Sequence, residues 1–192
     1  MLNLKIIVTS TRPGRKGIIF GNWLLEEAKK LPEFNVELVD LAEINLPLMN
    51  EANHPAMRKY EHQHTKDWSA KIEEADAFIF VTPEYNYSFT AAFKNAIDYL
   101  HSEWKHKAVG IFSYGGISAG TRAQQMMRLV LASMSMTVVN EAVTIPMYTQ
   151  HIDEDNNFSA TEQIERTTSI MLQSVAKWGR LLKAIREDET KK

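Results

Sequence analysis

LKIIVTSTRPGRKGI, residues 4–18, joins an apolar run broken by one lysine to a basic, glycine-bearing turn and the start of a helix. Leu4 to Val8 reads as a strand that is apolar on both faces, and such a strand needs cover on both sides. Similar runs recur at Val36 to Val39, Ala77 to Val81, Ala108 to Phe112 and Thr137 to Val139. Apolar residues at helical spacing lie between or after them: Phe20, Trp23, Leu24, Ala28 and Leu31; Phe89, Ala92, Phe93, Ala96, Ile97 and Leu100; Ala123, Met126, Met127, Val130 and Met134. A last helix is expected over 161–185. Parallel strands need crossover helices, which cover both sheet faces, so five strands alternating with helices predict an open, doubly wound α/β domain.

Ligands of such sheets sit beyond the carboxyl ends of the strands, so the loops after strands one, three and four carry the functional reading. The first is Thr9-Ser10-Thr11-Arg12-Pro13-Gly14-Arg15-Lys16-Gly17, followed by Ile18. N–H groups at a helix start have no intrahelical partner and carry partial positive charge. Ser10, Thr11 and Arg12 add hydroxyl donors and a guanidinium fork, a set that suits a phosphomonoester. The loop lacks the Gly-x-Gly-x-x-Gly of dinucleotide sites, and Lys16 precedes Gly17 where a magnesium-binding Ser or Thr would stand in a nucleotide hydrolase. Asp40, at the end of strand two, therefore reads as a turn residue. The plain alternative is a polar connection that Pro13 and Gly14 merely turn.

Strand three ends in Thr82-Pro83-Glu84-Tyr85-Asn86-Tyr87-Ser88, and strand four in Ser113-Tyr114-Gly115-Gly116-Ile117-Ser118-Ala119-Gly120. Two tyrosines and an amide stand at one rim. Glycines expose backbone amides at the other, so a planar heterocycle can approach closely.

With these loops in place the chain resembles the NAD(P)H-dependent FMN reductase family, flavodoxin-like proteins that include quinone, azo-dye and chromate reductases. Three features carry the resemblance: Ser10-x-Arg12; Pro83-Glu84-Tyr85-Asn86 with Lys94-Asn95-Ala96-Ile97-Asp98 behind it; and Ser113-Tyr114-Gly115-Gly116. The resemblance implies a flavodoxin-like five-stranded sheet of order 2-1-3-4-5. It also implies bound FMN, with Ser10, Arg12, Lys16, Gly17 and Ile18 on its phosphate. Pro83, Glu84, Tyr85 and Asn86 would border the ring, and Ser113, Tyr114, Gly115 and Gly116 its ribityl and pyrimidine side. NADPH or NADH would give a hydride through the flavin to a small acceptor: a quinone, azo compound, free flavin or oxidised metal species. The flavin does the chemistry, Asn86 and Tyr85 shape the site, and amides near Gly115 and Gly116 meet negative charge on the ring. A homodimer or homotetramer is implied, with Phe93, Tyr99, Leu100 and Trp104 as the contact. Where many members have a proline, Thr90 follows Phe89, and Ile117 to Gly120 replaces a common glycine pair.

The runner-up is a flavodoxin-type electron carrier serving a protein partner. Such carriers are strongly acidic, whereas this chain has a formal net charge of −2. A third reading is a phosphoester-binding domain that uses the first loop alone. The near-neutral charge and the lack of long Lys/Arg runs argue against nucleic acid. Zero cysteines exclude disulfides, iron–sulfur clusters and a thiol nucleophile. No metal is expected, because His62 and His64 lack an accompanying acid–histidine helix motif. No run suits a membrane span, and the cytoplasm is the default location. The 192 residues, 44% hydrophobic, suit one domain over 1–186 with a frayed tail at 187–192.

Several residues have structural readings as well. Ser88 is a candidate helix cap, Asn95 and Asp98 can fix their helix to a neighbouring loop or subunit, and Tyr114 can be a core ring. Met126, Met127, Met134 and Met136 read as core, and the Glu26-Glu27 and Glu73-Glu74 pairs as facing water. The stretch from Leu41 to Thr65 is longer than an ordinary connection and reads as a functional rim or a partly mobile segment.

Overall fold

A computed structural model of the chain describes residues 1–189. Its strands are β1 (Leu2–Val8), β2 (Phe34–Asp40), β3 (Ala77–Pro83), β4 (Ala108–Tyr114), β5 (Thr137–Val138) and β6 (Val143–Ile145). Its α-helices are α1 (Gly17–Lys29), α2 (Leu41–Ile44), α3 (Gln63–Glu73), α4 (Ala91–Asp98), α5 (Thr121–Ser133) and α6 (Glu162–Glu189). Among the described residues these strands pair in parallel, in the expected order β2-β1-β3-β4-β5. The fifth position is shared. β5 pairs with Ala108 and Val109 at the start of β4, whereas β6 pairs with Phe112 to Tyr114 at its end. The single strand expected over 137–139 is thus two short segments, with residues 140–142 outside the ladder between them.

Side chains alternate across the sheet, so each strand feeds two cores. Leu4, Ile6 and Val8 of β1 join Phe20 and Leu24 of α1 and Met171 and Val175 of α6 on one face. Ile7 joins Phe78, Phe80, Trp68, Phe93 and Met127 on the other. The lysine inside β1, Lys5, is buried and ion-paired with Glu37 and Glu74. Burial pulls Lys5 down, but hydrogen bonds to the two carboxylates outweigh it and hold the ammonium above its ordinary value.

Four expectations change. Phe93, Tyr99, Leu100 and Trp104 are each at most 1% exposed. They belong to the chain's own core and cannot form a contact between copies. Met127 and Met136 are core residues, but Met126 is exposed because it lies on the outer side of α5. The cap of α4 is Thr90, whose hydroxyl accepts from Phe93 N–H at 3.1 Å, not Ser88. α6 continues through Glu189, past the expected end at Ile185, so 187–189 are helical and the rest of the expected tail, 190–192, lies outside the described residues.

The long segment after β2 is cross-linked to the body. Asn95 donates to Pro47 C=O at 2.7 Å and accepts from Met49 N–H at 2.9 Å, fixing α4 to this segment. Tyr99 Oη donates to Asn50 Oδ1 at 2.9 Å. The buried Glu103 carboxylate accepts from Tyr60 Oη and Ser69 Oγ, both at 2.7 Å. Asp98 instead pairs with Lys94 on its own helix.

Candidate flavin site

The loop after β1 is built before any ligand meets it. Thr9 N–H donates to Val81 C=O at 3.0 Å, Thr9 Oγ1 to Thr82 Oγ1 at 3.0 Å, and Thr90 Oγ1 to Thr9 C=O at 2.9 Å. The loop is thereby tied to the end of β3 and the start of α4. Arg15 N–H donates to Arg12 C=O at 3.2 Å across Pro13 and Gly14. Gly14 has φ 73°, so this is a type II turn with proline and glycine where that turn requires them. The turn lifts Arg12 outward. Arg15 folds back onto Asp40, which also accepts from Ala42 N–H at 3.0 Å and so starts α2.

α1 then begins with no side-chain cap and no acid in its first turn. Its leading N–H groups, those of Gly17 and Ile18, point out with partial positive charge. Ser10 is fully buried beneath them, and its Oγ has no hydrogen-bond partner. Arg15 Nε is likewise buried without one. A Cβ on Gly17 would collide with Ser10 Oγ and lie 2.8 Å from Tyr114 Oη, so only glycine fits there. Lys16 Nζ is held over this end by Asn156 Oδ1 at 2.5 Å. Buried donors at an uncapped helix start, with Arg12 and Lys16 beside it, have the chemistry that suits a phosphate dianion.

Pro83 and Tyr114 are register neighbours at the ends of β3 and β4, so the second and third loops leave the sheet side by side. Glu84 fastens them together. Its carboxylate accepts from Arg122 Nη1 at 2.7 Å and from Arg122 N–H at 3.2 Å, capping α5 from another loop. Burial pushes Glu84 up, but hydrogen bonds from Arg122 and Ser118 outweigh it and hold the carboxyl below the ordinary glutamate value. Tyr114 is buried against Phe20 and Tyr148, with ring centroids 4.7 and 5.3 Å away. That burial raises its hydroxyl pKa, against a weaker opposing effect of Ser10, and keeps it a neutral donor beside the phosphate loop.

A cleft of about 280 Å³ opens between these loops. Of the residues singled out from sequence, Arg12, Lys16, Pro83, Glu84, Tyr85, Tyr114, Gly115 and Gly116 line it. Ser10 and Gly17 do not line it but lie behind it against the Tyr114 hydroxyl, and the Ile18 side chain packs on the core. Ser113 is spent internally, donating to Ala119 C=O at 3.0 Å. Asn86 stands exposed in a tight reversal beside the cleft. Gly115 N–H is also spent, on Ile145 C=O at 3.1 Å, so the backbone donor left to this wall is Gly116, whose Cα faces open space. The sequence reading missed Tyr148, which enters the cleft because its N–H donates to Gly115 C=O at 3.2 Å. Only the short apolar run Val143 to Ile145 before Pro146 signalled it. A second cleft, about 270 Å³, lies between α2 and α4 beside Thr11 and Asn95, but no cation lines it.

This geometry agrees with what the chain is similar to. The family model described as NADPH-dependent FMN reductase matches residues 2–150. An NAD(P)H-dependent FMN reductase of Schizosaccharomyces pombe is 37% identical over 73% of this chain and 72% of its own length. An NADPH azoreductase of a Bacillus species is 30% identical over 74% and 76% respectively. Among solved structures, the flavoenzyme NAD(P)H:(acceptor) oxidoreductase FerB from Paracoccus denitrificans superposes with TM-score 0.73 at 18% identity. It covers 94% of this chain and 98% of that one and shows the shared flavodoxin-like fold. With a model match over most of its length, and a parallel sheet of flavodoxin-like order, the chain belongs to the NADPH-dependent FMN reductase family.

Proposed function

We propose that the phosphate of FMN is held by Ser10, Arg12, Lys16 and the N–H groups of Gly17 and Ile18, with Tyr114 Oη as a further donor that the sequence alone did not place at this end. The observation that carries this assignment is the fully buried Ser10 Oγ, with only the Tyr114 hydroxyl facing it, under an uncapped helix start. A bound phosphate would complete the hydrogen bonding of both hydroxyls. Pro83, Tyr85, Gly116 and Tyr148 form the walls for the ring. Glu84, assigned to the ring border from sequence, works one step back by joining the two walls.

The chain is an NAD(P)H-dependent oxidoreductase of the FMN reductase type. FMN, when bound there, would supply the redox chemistry of hydride transfer from NAD(P)H to a small acceptor such as a quinone or azo compound. The residues of the chain bind, orient and polarise. Gly116 N–H is a fixed donor for negative charge developing on the ring, and such a donor needs no reorganisation when charge appears. Tyr85 and Tyr148 give the acceptor pocket flat apolar faces. Oligomerisation, with the core residues of α4 removed from consideration, would use the exposed Leu48, Met49 and Met57 on the segment after β2. A monomer in light scattering would refute that part.

The deciding experiment is the absorption spectrum of the FMN-loaded protein before and after anaerobic NADPH or NADH. A yellow protein bleached by the nucleotide is the expected result. Colour that no nicotinamide bleaches would favour the one-electron carrier, and failure to take up FMN would defeat the site.

A further inference from the structure

The reversal that follows Tyr85 contains a residue that the cleft does not use. Asn86 and Tyr87 stand at φ 49° and 69°. They are the central pair of a two-residue turn closed by Tyr85 N–H to Ser88 C=O at 2.9 Å and Ser88 N–H to Tyr85 C=O at 3.0 Å. Such a turn needs both central residues left-handed, and glycine is the favoured second residue. A tyrosine there is strained, because its Cβ crowds the following carbonyl oxygen, and burial does not offset the strain, since Tyr87 is 68% exposed. Strain of this kind persists where the side chain has work to do.

One face of the Tyr87 ring is already covered. The Arg122 guanidinium carbon lies 4.0 Å from the ring centroid, and Arg122 is itself held by Glu84. The ring is therefore fixed from behind while its other side is open to solvent. It stands two residues from Tyr85, which lines the cleft, so at most about 7 Å of chain separates the two. A cleft of about 280 Å³ is at the small end for ligand pockets. A nicotinamide dinucleotide carries a second flat ring, adenine, that has to lie outside it.

Building on the flavin-reductase reading, we propose that the free face of Tyr87, backed by Arg122, is the platform on which the adenine of NAD(P)H stacks. Glu84 neutralises Arg122, so the platform selects a flat ring and not a 2′-phosphate. It serves NADH and NADPH alike.

The test compares Tyr87→Gly and Tyr87→Phe with the parent holoenzyme on NADH, NADPH and reduced nicotinamide mononucleotide, which lacks the adenosine half. Tyr87→Gly is expected to raise KM for both dinucleotides about tenfold, the scale of one lost base–aromatic stack. It should leave kcat, FMN affinity and KM for the mononucleotide unchanged, and Tyr87→Phe should keep all of them. Glycine suits the turn, so the Tyr87→Gly variant should melt no lower than the parent, and a raised KM then cannot come from a loosened fold. Unchanged KM for the dinucleotides, or an equal rise for the mononucleotide, overturns the platform. So does a change of oligomeric state on Tyr87→Gly, which would make the ring a contact between copies. A parent that neither binds FMN nor oxidises NAD(P)H fails at the earlier reading instead.

Discussion

At the amino ends of β3 and β4 the protein closes its polar groups on one another, although Glu33 before β2 keeps a buried carboxylate oxygen without a partner, and at the carboxyl ends of β1, β3 and β4 it leaves donors open. Asp76, just before β3, is buried and accepts from Asn3 N–H at 3.0 Å, Lys183 Nζ at 2.9 Å and Arg186 Nη2 at 2.6 Å. Lys107, just before β4, donates to Ile72 and Glu73 C=O at 2.6 and 3.0 Å, ending α3. At the other end Ser10 Oγ and Arg15 Nε are buried without partners, and Asn86, Tyr87 and Ala119 have left-handed backbone. Satisfied polar groups hold the fold together, whereas unsatisfied ones are available to a ligand.

Three substitutions can break that division. Asp76→Ala removes the acceptor of two cations from a buried position and should cost about 3 kcal/mol of stability, read from urea unfolding, with FMN affinity of the folded protein unchanged. Weaker FMN binding would mean the two ends are coupled. Arg12→Ala should act the opposite way, weakening FMN about 100-fold in a fluorescence titration while moving apo stability by no more than about 0.5 kcal/mol. A large loss of apo stability would show that the phosphate loop is structural.

The smallest effect concerns pH. Burial, aided by nearby Arg186, pulls Lys107 down to about 7. The unfolded chain keeps that proton until about pH 10. Between these values the unfolded state binds more protons, so stability rises with pH by at most about 1.4 kcal/mol per unit, and below 7 this contribution is flat. Urea midpoints measured from pH 7 to 10 should show the rise in the parent and a shallower one in Lys107→Met. Parallel curves would remove Lys107 from the account.

How far sequence could see follows the same division. Strands apolar on both faces announce themselves, so β1, β3 and β4 were legible, whereas their order came with the family resemblance, and the loop after β1 stood out by its residue types. α3 has no comparable signal, because its buried face alternates Thr65 and Ser69 with Trp68 and Ile72. Phe93 and Trp104 were misjudged as contact residues because apolar spacing marks a buried face without saying what buries it. Glu84 does line the cleft, but its work on Arg122, 38 residues away, depends on a tertiary contact that no local pattern encodes. The same holds for Gly115, whose amide looked available until β6 came alongside.

The divided fifth position of the sheet has a consequence for how such a protein can grow. β5 is fastened to the lower part of β4, and β6, which leads to Tyr148, to the upper part. Residues 140–142 belong to neither ladder, and Asn140 is exposed. Extra chain inserted there would cost the bond from Arg128 to Asn140 C=O but leave both ladders and the cleft wall in register, since backbone outside the ladders is where insertions are tolerated. This edge is a natural splice point, where a lid or a second module could be grafted beside the flavin without redrawing the site.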